Sequence, residues 1–379
     1  MKIAQSTWTQ AKGPSVGAAE IPADSVHLAL VFGSTKLLEQ QKHLQEIRES
    51  YPHAHVLGCS TAGEIAGTQV LDDSIVVTAV HFDHTNLAAA EVDLAEVTSS
   101  RGAGRELAGR LDPRGLKHVL VLSDGLAVNG SELVKGLADN LPEEIGISGG
   151  LAGDGARFQQ TLVCSGNRAS QRKIAAVGFY GERLRIGCAS MGGWDTFGPD
   201  RVITKSKANV LYELDGKSAL SLYKEYLGEH AAKLPASGLL FPLSVRSPSS
   251  SGGVVRTILS VDEAEGSMTF AGDVPEGFFA RLMRANFERL IDGATGAAKA
   301  TKRAGAAEGV DLAILISCVG RKLVLKQRVE EEVEAVQNVL GPGAVLTGFY
   351  SYGEISPFTP SAKCELHNQT MTLTTFREG

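Results

Sequence analysis

One short signature is written twice in this chain. Gly58-Cys59-Ser60-Thr61-Ala62-Gly63-Glu64-Ile65 returns near the other end as Gly348-Phe349-Tyr350-Ser351-Tyr352-Gly353-Glu354-Ile355, and both fit G-x-x-[ST]-x-G-E-I. Two glycines, a hydroxyl and a carboxylate in one register imply the same backbone turn, presenting the same polar groups twice. The chain is therefore expected to hold two related halves that face each other, with a site between them.

The flanks repeat in kind. Residues 27–32 (HLALVF) read as a buried strand, with Gly33-Ser34-Thr35 as turn and helix cap. Leu37, Leu44 and Ile47 then fall on one helical face, and a second strand at 55–57 delivers Gly58. Toward the other end, 311–319 (DLAILISCV) reads as strand, and Val329, Val333, Val336 and Leu340 mark a helix face. Residues 344–346 then lead into the second signature. A third, looser copy has a strand at 118–122, a helix lined by Leu133, Leu137 and Leu141, and the run 146–154 (GISGGLAGD). Strand, helix, strand and glycine loop is a βαβ unit. In open α/β sheets, loops at the carboxyl ends of parallel strands are where ligands sit. Short β-rich runs at 74–82, 161–165, 173–180 and 184–190 lie between the units. The expected class is α/β: two related halves built from βαβ units on mixed sheets with added antiparallel strands.

At 379 residues the chain exceeds one ordinary core. The Gly/Pro-rich passage 192–199 suggests a boundary, giving parts at 25–200 and 201–375. Beyond it, 202–214 reads as strands and 218–227 as a helix, Ser247–Gly253 as a flexible loop, and 292–309 as a helix end running into a mobile connection. A net charge of −6 gives no basic footprint, which argues against nucleic-acid partners. There is no run of about 18 apolar residues, so no membrane insertion is expected. The first residues lack the apolar run of a signal peptide, and the 5 cysteines are scattered without a C-x-x-C pair. Both features point to a reducing, cytoplasmic setting.

These motifs resemble the FIST family (F-box and intracellular signal transduction). Its N-terminal part carries a G-C-S-T-A-G-E-I-like segment and an S-G-G-x-A-G-D segment, here 148–154. Its C-terminal part carries an S-C-x-G-R strand end, here Ser317-Cys318-Val319-Gly320-Arg321, with the segments 349–357 and 367–370 matching as well. The resemblance spans roughly 25 to 375. It implies a cytoplasmic sensory module rather than an enzyme, one that binds a small ligand such as an amino acid. It also implies output through a separate histidine kinase, chemoreceptor or cyclic-dinucleotide enzyme, since the two parts use nearly all of the chain. Some stand-alone members resemble haem-based nitric-oxide sensors. Without C-x-x-C-H, any haem here would be non-covalent haem b.

The candidate ligand residues follow from the loops. Backbone N–H groups of Gly58, Gly63, Gly149 and Gly150 can form an anion-binding nest beside Cys59, Ser60, Thr61 and Ser351. Glu64, Asp154 and Glu354 can receive positive or donor groups, while Tyr350, Tyr352, His367 and Asn368 supply walls and orientation. The plainer alternative is that Glu64 and Glu354 accept backbone N–H bonds and lock equivalent turns. Tyr350 and Tyr352 share one face by period-two spacing, and could line a pocket or seal a core. His367, inside an apparent strand at 365–375, is the first residue to test as a haem ligand, or else a hydrogen-bonded edge histidine. A hydrolase using Ser148 (within G-x-S-x-G) or Cys59 is a further alternative, but the glycines after Ser148 deny it the helix that motif needs. Residues 149–158 lack the lysine of a phosphate loop.

Overall fold

The computed structural model describes residues 1–9, 13–16, 21–249, 253–304, 309–358 and 362–379, excepting the side chains of 13–16 and of residue 304. Parts of the expected loop at Ser247–Gly253 and of the connection before Gly309 lie outside the described residues. The expected α/β class with mixed sheets is what is observed, and it is organised as three matching sheets plus a separate antiparallel one.

Each matching sheet has one parallel pair at its centre. The pairs are Leu28–Gly33 with His55–Ser60, Leu116–Ser123 with Gly146–Leu151, and Leu312–Cys318 with Val345–Ser351. Beside the first strand of each pair runs an antiparallel neighbour: Ser74–His81, Lys173–Tyr180 or Met371–Glu378. A further antiparallel strand follows it: Lys2–Thr9, Asn86–Asp93 or Leu184–Met191. The looser third copy therefore has the same strand plan as the two strong ones. Inward side chains of all three sheets meet in one apolar core that includes Phe32, Cys59, Leu122, Ile316 and Phe349.

The units are closed by exchanging strands in a ring. Glu64–Ala66, which begins within the end of the first signature, pairs with Val345–Ser351 of the last unit. Gly353–Pro357, which begins within the end of the last signature, pairs with Gly146–Leu151 of the middle unit. Val163–Ser165, after the middle loop, pairs with His55–Ser60 of the first.

An eight-stranded antiparallel sheet, with helix Ala219–Leu227 packed on it, is inserted between Leu184–Met191 and helix Phe287–Ala304. Ser218 caps the inserted helix by accepting from the Ser221 amide. Strand Trp194–Lys207 runs straight through the passage expected to be a boundary, accommodating Gly198-Pro199 in a bulge between Phe197 and Arg201.

Two expectations of local structure differ from what is observed. The helical face through Leu37 and Ile47 is split into Thr35–Leu38 and Lys42–Ser50, because Gln41 is left-handed (φ 53°). Its side-chain amide is held by both backbone groups of Ala169 in the adjacent strand. The apparent strand at 365–375 is two strands in different sheets, Cys364–His367 and Met371–Glu378. Gln369, at φ 64°, turns the chain between them, and the side chains of Asn368 and Gln369 are fully buried there.

Candidate functional site

The three glycine loops meet at one end of the ring, and register fixes their equivalence. Gly58, Gly149 and Gly348 lie opposite Val31, Val121 and Leu315 on the parallel neighbour. A Cβ at these glycines would come within 2.0, 1.8 and 1.8 Å of the carbonyl oxygens of those residues. The first glycine of the signature is thus required by backbone approach. Further along, the loops bond to one another in a cycle: Ala62 N–H to Tyr350 O at 2.8 Å, Gly153 N–H to Ser60 O at 2.8 Å, and Tyr352 N–H to Leu151 O at 3.2 Å. Donor and acceptor occupy the same two loop positions each time.

The carboxylates serve these turns. Thr61 Oγ1 donates to Glu64 Oε1, and Ser74 donates to Glu64 Oε2 through its amide (3.2 Å) and hydroxyl (2.6 Å). Ser351 Oγ donates to Glu354 Oε1 at 2.6 Å, and Thr370 donates to Glu354 Oε2 through its amide (3.2 Å) and hydroxyl (3.0 Å). Burial pushes Glu64 up to about 7 and Glu354 up to about 8, against these donors. In the middle unit the corresponding acid is Asp124, which the sequence reading missed. It accepts from the amides of Leu126, Ala127 and Arg172. Asp154 is displaced from that role, and binds Thr35 Oγ1 and Arg157 instead. Gly63 N–H donates to Thr61 Oγ1, while Gly58, Gly149 and Gly150 stand in paired strands.

The remaining sequence candidates scatter from this point. Tyr350 donates to Glu332, whereas Tyr352 reaches the middle unit, donating to Gly155 O and stacking on Phe158 at 4.3 Å. They part because the chain changes sheets at Tyr352. Cys59 is buried, and burial drives its thiol well above the usual range. Ser148 does meet a histidine, His118 Nε2 at 2.7 Å, but both are sealed from solvent and strand rather than helix follows the serine. Asn368 donates to Tyr352 O and accepts from the Thr257 amide.

His367 faces a different feature, a cavity of about 700 Å³ beside the inserted sheet. One wall is helix Gly130–Ala138, capped by Asn129, whose Ser131, Val134, Lys135 and Ala138 form an i, i+3, i+4, i+7 stripe. The opposite wall is the inserted sheet, with Val245, Val254 and Arg256, and with Phe278 just before its strand Phe279–Ala285. Strand Cys364–His367 forms a third side. His367 Nε2 contacts Ser356 O at 2.9 Å, and burial lowers the imidazole to about 4, so it is neutral at neutral pH. Arg256, Lys135, Ser131 and Asp273 carried no motif. Only the fold brings them together.

Family models for the FIST N domain and the FIST C domain match residues 27–217 and 219–357. The chain belongs to the FIST family. FIST domains are sensor domains of signal transduction. An uncharacterized protein of Methanocaldococcus jannaschii is 25% identical over 299 residues, covering 72% of this chain and 57% of its own length. This FIST chain thus spans little more than half of that relative. Two solved structures of cyanuric acid hydrolase also align. One, from A. caulinodans, covers 94% of this chain and 91% of its own at 11% identity and a TM-score of 0.33. The other covers 100% and 99% at 10% identity and a TM-score of 0.31. Likeness at that level carries no argument.

Set against the two FIST segments, the two features differ. The loop ring joins the first and middle units of FIST N to the last unit of FIST C through buried, mutually bonded backbone. The cavity has Ser131 to Ala138 from FIST N on one side and Val245 to Phe278 from FIST C on the other. Among the described residues, no helix is long and apolar enough to cross a membrane, and no cluster of metal-ligating side chains occurs.

Proposed function

We propose that this FIST chain is a non-catalytic cytoplasmic sensor that takes a small polar ligand into the cavity between its two FIST segments. Occupancy then biases their arrangement, and a separate partner reads it: a histidine kinase, a chemoreceptor or a cyclic-dinucleotide enzyme. The observation that supports this is the cavity of about 700 Å³ walled from both segments, with charged and apolar sides together. A ligand touching both walls has differential affinity for their two arrangements, which is what a shift of equilibrium needs. The test is a thermal-shift screen of amino acids and small carboxylates on the full chain and on Ala138→Trp, which places a bulky ring in the cavity. Stabilisation of the parent that Ala138→Trp abolishes, with its own melting retained, is the expected result. Stabilisation kept in Ala138→Trp but lost in Glu64→Gln or Ser351→Ala would move the site to the loops.

His367 supports a second reading, non-covalent haem b. The imidazole is neutral, lines the cavity and has Nε2 on a carbonyl, the arrangement that leaves the other ring nitrogen to a metal. Haem would supply a gas-binding iron. A haem-titrated sample that shows no Soret band, or a band unchanged in His367→Ala, removes this reading.

A further inference from the structure

We propose that Arg256 is the anchor of the cavity's ligand, and that this small polar ligand is a monocarboxylate with an apolar body. The inference rests on the reading of the cavity as the ligand site. Among the described residues two arginines are deeply buried, and they are treated differently. Arg321 is fully enclosed and lies against Glu332, donating through Nε at 3.0 Å and Nη2 at 2.7 Å. Arg256, only 6% exposed, donates to neutral oxygens alone: Asp273 O at 3.0 Å, Val255 O at 3.2 Å, Leu366 O at 3.1 Å and Ser131 Oγ at 3.5 Å.

The nearest acid is already committed. The Asp273 carboxylate accepts from Asn129 Nδ2 at 2.9 Å and Lys135 Nζ at 2.7 Å, so only its carbonyl serves Arg256. Among the described residues no carboxylate forms an ion pair with Arg256. A buried guanidinium without a direct ion pair is costly, and burial lowers Arg256 to about 10 although the more distant Asp273 and Glu365 carboxylates oppose that fall. An anion bound here would remove that cost.

The free hydrogen-bonding capacity is local. Nε and Nη1 are used by carbonyls, which leaves Nη2 with only the 3.5 Å contact to Ser131 Oγ. Ser131 Oγ accepts from Arg256 and from the Asp273 amide, and its own O–H has no acceptor among the described residues. Two adjacent donors suit the two oxygens of a carboxylate. The charge count favours a single negative charge. Three cations (Lys135, Arg256 and Lys363) and three acids (Asp139, Asp273 and Glu365) line the cavity, with Lys135 held by Asp273 and Glu132 and Asp139 by Arg101, so no excess of positive charge is left for a dianion. Val134, Val245, Val254 and Phe278 give the rest of the ligand an apolar bed.

The experiment is calorimetry and thermal shift on the full chain with benzoate and 3-phenylpropionate against the matching uncharged amides. The acids should bind about 10-fold more tightly than the amides, as a charge-assisted pair requires. Arg256→Lys, which keeps the charge but loses the fork, should remove most of that preference. Ser131→Ala serves as the second variant should Arg256→Lys not fold, and should weaken the acids alone. Equal binding of acid and amide, abolished by Ala138→Trp, would sink the anchor and leave the cavity reading intact. A parallel arm compares haem with haem dimethyl ester. If the small acids are inert, preference for free haem that Arg256→Lys removes would overturn the single carboxylate and give the cavity to the haem reading. No uptake of acids, amides or haem at millimolar concentration would sink both the anchor and the cavity reading.

Discussion

The loop ring and the cavity are both assembled from distant parts of the chain, but in opposite ways. In the ring, donors and acceptors come in matched sets, down to the cyclic amide–carbonyl bonds at Ala62, Gly153 and Tyr352. Such an arrangement is saturated and tolerates no added atom. In the cavity, Arg256 and Ser131 keep hydrogen-bonding capacity in hand beside about 700 Å³ of space. The densest motif in the sequence marks the joint of the molecule, and the proposed recognition site lies where the sequence carries no pattern at all.

The sharpest way to break this contrast is at the ring glycines. Gly348→Ala puts a Cβ against the Leu315 carbonyl and should cost more than about 4 kcal/mol, seen as loss of soluble folded protein. Gly109→Ala, with open space around it, should change melting by no more than about 0.5 kcal/mol. If the two behave alike, the ring is not the structural joint described here.

Next in size is pH. Glu64 and Glu354 rise from an ordinary 4.5 to about 7 and about 8, so the fold favours their protonated forms. The stability they contribute is full below about pH 4.5 and is lost as pH rises through their folded values. The charged neighbours that oppose the rise are Lys322 near Glu64 and Arg321 near Glu354. Denaturant melts of Glu64→Gln and Glu354→Gln should therefore fall less steeply between pH 5 and 8 than the parent, by on the order of 3 kcal/mol across the window. A parent profile that is flat or rises there would contradict the burial argument.

Smaller again, Ser351→Ala removes one hydroxyl from Glu354 and should cost about 1–3 kcal/mol, and Thr61→Ala, which also loses a methyl and the acceptor of Gly63 N–H, should cost at least as much. A cost at Ser351 above that at Thr61 in chemical melts would show that the two turns are not energetically equivalent. A small effect is expected at the cavity: apo Ala138→Trp should melt within about 1 kcal/mol of the parent, since Ala138 is exposed on its helix.

Much of the architecture was legible because periodicity records burial. The helix face at Val329, Val333, Val336 and Leu340 and the strands leading to each glycine loop lie close to where the pattern puts them. What stayed hidden was long-range. Nothing local tells that Ile65 stands opposite Gly348, or that Ile355 stands opposite Gly149. Asp124 was invisible because its role is filled by an acid from another loop, out of register with Glu64 and Glu354. Gln41 and Gln369 interrupt expected elements because side-chain bonds to distant backbone hold them left-handed, which propensity cannot foresee. For the site, His367 was singled out while Arg256 was not, since one arginine at a strand end has no signature.

The exchange of strands around the ring also has a consequence for how the chain is made. Glu64–Ala66 pairs only with Gln69–Leu71 until Val345–Ser351 exists, and that strand is synthesised long after it. The first unit must wait, its second strand paired but its outgoing hairpin unplaced, through the synthesis of everything between. Closing so distant a contact is slow and exposes an unpaired edge meanwhile. A nascent chain halted after the FIST N segment should therefore be a client of chaperones rather than a finished domain.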